Sequence, residues 1–207
     1  MVTTIIFDFD GVILDSMPIR KLGFAEVLKE YPTDKVNELL EYHERNGGLS
    51  RYHKFEYFYT TIIKQEFSQE DILRLANAFS VIMRDKLTDK AGLIEETIRF
   101  IQENKSSYRY FIASGSDENE LRFLCKELGI HSFFEAVFGS PTPKKQIVGN
   151  LLKQFAFKPD EAILIGDALN DFEAASVNQI DFYGFNNPAL QGIGKGYIHS
   201  FQTFSIS

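Results

Sequence analysis

Residues 3–9 form a short β-branched and apolar run that passes directly into Asp8-Phe9-Asp10-Gly11. The run reads as a buried strand. Alternate residues of a strand share a face, so Asp8 and Asp10 are expected to converge as the strand ends. Two converging carboxylates are costly to bury unless a cation or a proton-transfer task compensates. The same residues also read as a strand entering an Asp-Gly turn with both acids solvated. The motif alone does not separate these readings, so the rest of the chain must.

From about residue 89 onward, strand and helix patterns alternate. Ile94, Ile98 and Ile101 mark an amphipathic helix, and residues 108–113 a strand running into Ser114-Gly115-Ser116. Residues 118–128 form a helix stopped by Gly129, a usual residue just past a helix end. A short strand at 136–138, a helix through Ile147, Leu151 and Phe155, and an apolar strand at 162–165 follow. A short helix at 170–177 and a last strand at 182–185 complete the series. Such alternation predicts an α/β fold, a doubly wound parallel sheet with right-handed crossovers.

Residues 16–88 interrupt this grammar. Their apolar stripes, Phe24/Val27/Leu28 and Ile72/Leu73/Leu75/Ala76/Phe79, have helical spacing, and Pro32 and Gly47-Gly48 punctuate them. Residues 55–63 are aromatic and β-branched enough to leave helix and strand both open. The expected organisation is a catalytic core at 1–15 and 89–207, with a helical cap at 16–88 over the carboxyl edge of the sheet, where ligands bind in open α/β folds.

In a parallel sheet all strand ends lie on one rim. That rim would carry Asp8 and Asp10, Ser114, the lysines of Ser140-Pro141-Thr142-Pro143-Lys144-Lys145, and Gly166-Asp167 through Asp171. Carboxylates, a hydroxyl beside backbone N–H groups and an ammonium are the parts phosphoryl transfer needs.

These motifs, from Asp8-Phe9-Asp10-Gly11-Val12 through Ser114, Lys144 and Gly166-Asp167 to Asp171, resemble the haloacid dehalogenase-like (HAD) hydrolase superfamily. The resemblance covers the core and implies a Rossmann-like fold. The cap matches only by position and helical character. The resemblance implies Asp8 as nucleophile, forming an aspartyl-phosphate, and Asp10 as acid and then base, a role suited to a raised pKa. It implies Mg²⁺ held by the Asp8 carboxylate, the Asp10 carbonyl and Asp167, since this cation prefers oxygen ligands. Ser114 and the Gly115 N–H would hold phosphoryl oxygens, and Lys144, favoured over Lys145, would neutralise charge. Asp171 reads as a support to the metal or as an acid placed by the helix dipole. Asp15, Ser16 and Asp117 read as turn or helix-start residues.

The expected activity is hydrolysis of a small phosphorylated metabolite such as a sugar phosphate. Phosphomutase chemistry through the same phospho-aspartate is the alternative. A phosphoaccepting signalling receiver, at about half this length, and an inactive binding homologue are less favoured. In the cap, Arg20, Lys21, Arg51, His53 and Lys54 are the candidates for substrate contact, although surface charge explains each more simply. Tyr52 and Tyr57 read as packing residues before sugar-stacking ones.

A net charge of -7 at pH 7 argues against nucleic acid as partner. No apolar run approaches membrane-spanning length, and the first strand begins without a leader-like segment. The single cysteine, Cys125, excludes an internal disulfide and fits a reducing cytoplasm. Its spacing with Leu121, Leu124 and Leu128 places it in the core. A monomer or small homo-oligomer is expected.

Overall fold

The computed structural model describes residues 1–206. Six parallel strands form one sheet in the order β3-β2-β1-β4-β5-β6. They are β1 Thr4–Phe7, β2 Arg109–Asp117, β3 Ala136–Ser140, β4 Ala162–Gly166, β5 Asp181–Phe185 and β6 Gly196–Ile198. β1 lies between β2 and β4, with Phe7 in register with Ile112 and Ile165. The strand order reverses on either side of β1, which places the switch-point crevice at the end of this strand.

The alternation of β1 is visible in its packing. Ile5 and Phe7 enter one apolar cluster with Ile112 and Ile165. Ile6 enters another, on the opposite face, with Phe111, Leu164 and Val148. Burial of each such side chain contributes about 1.5–3 kcal/mol. The strand is therefore apolar at consecutive positions because both its faces are covered.

Four α-helices lie between β1 and the next core elements: α1 Met17–Val27, α2 Thr33–Arg45, α3 Arg51–Tyr57 and α4 Gln69–Lys86. Then α5 Glu95–Glu103 precedes β2, α6 Glu118–Glu127 follows it, α7 Lys144–Gln154 follows β3, and α8 Leu169–Val177 follows β4. The inserted helices pack around Phe24, Phe55 and Phe79, whose rings meet at 4.5–6.4 Å. Residues 55–63 are helical: α3 widens into a π-helical turn over Phe58–Ile63 that buries Phe58, Tyr59 and Ile62. β-Branched and aromatic composition left helix and strand open there because burial rather than propensity fixes the backbone.

Two expectations are corrected. The last strand is β6, three residues long and bordered by Gly192 and Gly194 with positive φ, too short to show a period. β1 stops at Phe7 rather than reaching residue 9. The chain turns there, with Phe9 O accepting N–H bonds from Ile13 and Leu14. Gly129, at φ +75°, ends α6 as expected, and Cys125 is fully buried. Among the described residues no helix is long and apolar enough to cross a membrane.

Candidate active site

The turn after Phe7 sends the two aspartates in different directions. Asp8 extends the ladder through its N–H to Ile165 O at 2.9 Å, and its Oδ1 accepts the Phe9 N–H at 2.7 Å. Its Oδ2 lies 3.0 Å from Lys144 Nζ. Lys144, the first residue of α7, also bonds the carboxylate of Asp171. Asp171 lies in the first turn of α8, where its Oδ2 accepts the Ala168 N–H at 3.0 Å. It therefore caps the helix and anchors the lysine. Lys145 is not part of this contact. It lines a neighbouring groove with Ser140 and Asn170.

Oxygens of Asp8, Asp167 and Asp171 come within 4.8 Å of one another. Burial raises the Asp8 carboxyl, and the Asp171 charge raises it further against the pull of Lys144. Burial and then the Asp8 charge likewise push Asp167 up. One ammonium faces three carboxylates, so the cluster carries surplus negative charge. An all-oxygen donor set with that surplus suits a hard divalent cation. Gly11, at φ +73°, is required for this approach: a Cβ there would lie 2.1 Å from Asp167 Oδ2.

Asp10 belongs to a second network. Its Oδ1 accepts from the Ser16 hydroxyl and from Arg20 Nε at 2.6 Å, and its Oδ2 from the Ser116 hydroxyl at 2.6 Å. Burial opposes its ionisation, but the Arg20 charge and these hydrogen bonds more than offset that and hold its pKa below the usual carboxylate range. The expectation of a raised Asp10 is thus corrected. So is that of two carboxylates pointing at one spot, although both still line one cavity. Ser114, on β2, is buried and its Oγ accepts the Ser116 N–H at 3.2 Å. At Gly115 an added Cβ would meet Gly48 O at 2.1 Å, so the inserted loop sits directly on this strand end.

The expectation of surface charge fails for three inserted residues. Arg20, Arg51 and Lys54 are buried. Glu120, fully buried in the first turn of α6, accepts Arg20 Nη1 at 3.1 Å and Arg51 Nη1 and Nη2 at 2.7 Å each. Lys54 Nζ lies 3.0 Å from both His43 Nδ1 and Gly47 O. Arg51, Lys54 and Phe55 share the inward face of α3, whereas His53 falls between them and is exposed. The His53 ring meets the Tyr42 hydroxyl at 3.1 Å and does not line the cavity, which removes it as a contact candidate. Lys21 is exposed and pairs with Glu44 at 2.5 Å. Tyr52 donates to Asp117 Oδ2 at 2.8 Å, and Tyr57 stacks on Tyr42 at 3.8 Å. Asp117 also accepts the Glu120 N–H, as a helix cap should.

Sequence reasoning missed Ser116, Glu120 and His43. A signal existed for Glu120: it lies one turn before Leu124 on the apolar stripe of α6, where an acid needs a partner. The cavity enclosed by these groups measures about 20 Å³, room for little more than one water.

The chain is 22% identical to a phosphoglycolate phosphatase of Colwellia psychrerythraea over 192 residues, 88% of this chain and 85% of that one. Among solved structures, a β-phosphoglucomutase from Clostridium difficile superposes with a TM-score of 0.80 at 18% identity, covering 100% of this chain and 94% of that one. A haloacid dehalogenase-like hydrolase from Streptococcus pneumoniae superposes with a TM-score of 0.72 at 22% identity, covering 97% and 95%. The family profile of the haloacid dehalogenase-like hydrolases matches residues 5–185, most of the chain, and the protein belongs to that family.

Proposed function

We propose that the protein is a Mg²⁺-dependent phosphomonoesterase acting on a small phosphorylated metabolite, with residues 16–88 as a cap over a core of residues 1–15 and 89–207. The observation that carries this reading is one cavity lined by two aspartates in separate hydrogen-bond networks. One is aligned with a lysine and a third acid, the other with two hydroxyls and an arginine. Such separation lets two carboxylates do different work.

In this reading Asp8 attacks phosphorus. The ester P–O bond breaks, and the leaving oxygen takes a proton from Asp10, which the substrate must first part from Arg20 because that pair otherwise keeps it ionised. Water then attacks the aspartyl-phosphate, Asp10 takes its proton, and the P–O bond to Asp8 breaks to restore the carboxylate. Ser114 and the Gly115 N–H hold phosphoryl oxygens, and Lys144 neutralises charge near Asp8. Asp8, the Asp10 carbonyl and Asp167 would hold Mg²⁺, with Asp171 fixing Lys144 beside them. When bound, the cation screens the anionic nucleophile from the anionic phosphate. A cavity this small means that the cap must open to admit an ester and release its products.

The test is turnover of p-nitrophenyl phosphate by the parent chain and by Asp8→Asn, with circular dichroism as a check on the fold. Turnover lost in the variant supports the assignment, and turnover retained overturns it. Isomer formation on hexose phosphates without phosphate release would replace the hydrolase with a phosphomutase.

A further inference from the structure

We propose that Lys54, oriented by His43, and Arg20 form an anion subsite on the cap that recognises a carboxylate on the leaving group, so that the substrate is the phosphate ester of a short hydroxy acid. This rests on the phosphomonoesterase reading above and deepens it.

Lys54 is buried, yet among the described residues no carboxylate pairs with it. Two of its three N–H groups go to His43 Nδ1 and Gly47 O. An ammonium has no lone pair, so His43 Nδ1 must be the acceptor and the ring proton must sit on Nε2. That Nε2 is buried and has no partner among the described residues. Arg20 Nη2 is equally buried and equally without an acceptor. All three side chains line the cavity that also contains Asp8 and Asp10.

Buried donors without acceptors are rare and call for an explanation. The acceptors nearby are already committed. Asp10 takes Arg20, Ser16 and Ser116, and Glu120 takes Arg20 and Arg51. Three buried cations, Arg20, Arg51 and Lys54, therefore stand against two carboxylates. Lys54 is the one of these cations that no carboxylate bonds, and a single monoanion would pair it. A carboxylate supplies two acceptor oxygens, one for the free Lys54 N–H and one for Arg20 Nη2. Burial and then the Arg20 charge depress the Lys54 pKa to about 7, and an incoming anion would restore its charged form. Arg51 is excluded from this subsite because Glu120 and Ser80 occupy its guanidinium.

The test compares 2-phosphoglycolate with ethyl phosphate, which differ only in exchanging a carboxylate for a methyl. Their dissociation constants are measured by calorimetry on the full-length Asp8→Asn protein, with and without Lys54→Met. The subsite predicts tighter binding of 2-phosphoglycolate by about tenfold or more, and a fall in that ratio of similar size in the double variant. Equal affinity for the two esters, no binding of either, or a ratio unmoved by the substitution would each overturn it. Lys54→Gln, which retains a hydrogen-bonding group toward His43, replaces the methionine variant if that chain does not fold. Because the assay reads binding, failure of the phosphatase reading shows separately, in p-nitrophenyl phosphate turnover by the parent protein.

Discussion

Glu120→Gln should destabilise the protein more than any exposed charge deletion. Glu120 is fully buried and receives three guanidinium N–H bonds, at 3.1, 2.7 and 2.7 Å, from two arginines whose side chains are 6% and 3% exposed. At that burial little solvent screening applies. Glutamine preserves the volume but removes the charge and turns an NH₂ group toward donors. Arg20 keeps Asp10, whereas Arg51 keeps only Ser80 and the face of Phe79 at 4.5 Å. Removing one partner of a buried ion pair costs about 3–5 kcal/mol because the remaining charge is stranded. For a chain of this size that corresponds to a melting temperature lowered by roughly 6–20 °C. The assay is thermal and denaturant unfolding of the parent, Glu120→Gln, Arg51→Met and the double variant. The double should lose less than the sum of the singles, since neither leaves the other stranded. The reference is Glu44→Gln, whose partner Lys21 is exposed and whose loss should cost under about 1 kcal/mol. A Glu120→Gln loss no larger than that of Glu44→Gln, or strict additivity with Arg51→Met, would refute the reasoning.

Lys54→Met should melt higher than the parent in the absence of ligand. A lysine whose folded pKa falls from 10.5 to about 7 imposes a penalty that is complete below pH 7 and relieved as pH rises toward 10.5. Arg20, Arg51, His43, Asp10 and Asp167 are the groups facing it, and the gap between variant and parent should narrow over that range. A constant gap would sink the argument. Gly115→Ala should lower kcat/KM by propping the inserted loop away, since its Cβ would meet Gly48 O at 2.1 Å; unchanged kinetics would show that the loop can yield. Mg²⁺ at about 100 times its dissociation constant should stabilise the parent by about 2.7 kcal/mol. Asp167→Asn should abolish that increment in calorimetry, and an undiminished increment would exclude Asp167 as a ligand.

The core was legible because each buried strand announces itself by unbroken apolar residues and then stops at a polar one. Asp8, Ser114 and Asp167 could be placed on one rim from that rule alone, and the structure puts them around one cavity. Short elements escaped: β6 has too few residues to show a period, and the π-helical turn at Phe58–Ile63 is stabilised by burial that a window of sequence does not contain. The charged interior of the insertion escaped for a different reason. Arg20 lies one turn before Phe24 and Glu120 one turn before Leu124, so each occupies an apolar stripe. A charge on such a stripe is tolerable only with a partner, and here the partner is 100 residues away in sequence. His53 shows the converse error: proximity to Gly47-Gly48 suggested the site, but helix phase directs it to solvent.

In the cap reading proposed above, the same ion pairs have two different energies, and that difference suits them to the task. Glu120 and Asp10 belong to the core side, Arg20 and Arg51 to the insertion, so every pair in this network crosses the seam. Deleting one member strands its partner in a dry interior. Separating the two halves strands nothing, because opening returns both charges to water, where hydration replaces most of the lost pairing. Apolar contact across the seam would not behave this way, since opening would expose its full area to solvent. A seam of matched charges is therefore strongly selective for the closed register and yet inexpensive to part. That combination is what a cavity with room for little more than a water requires if an ester is to enter it.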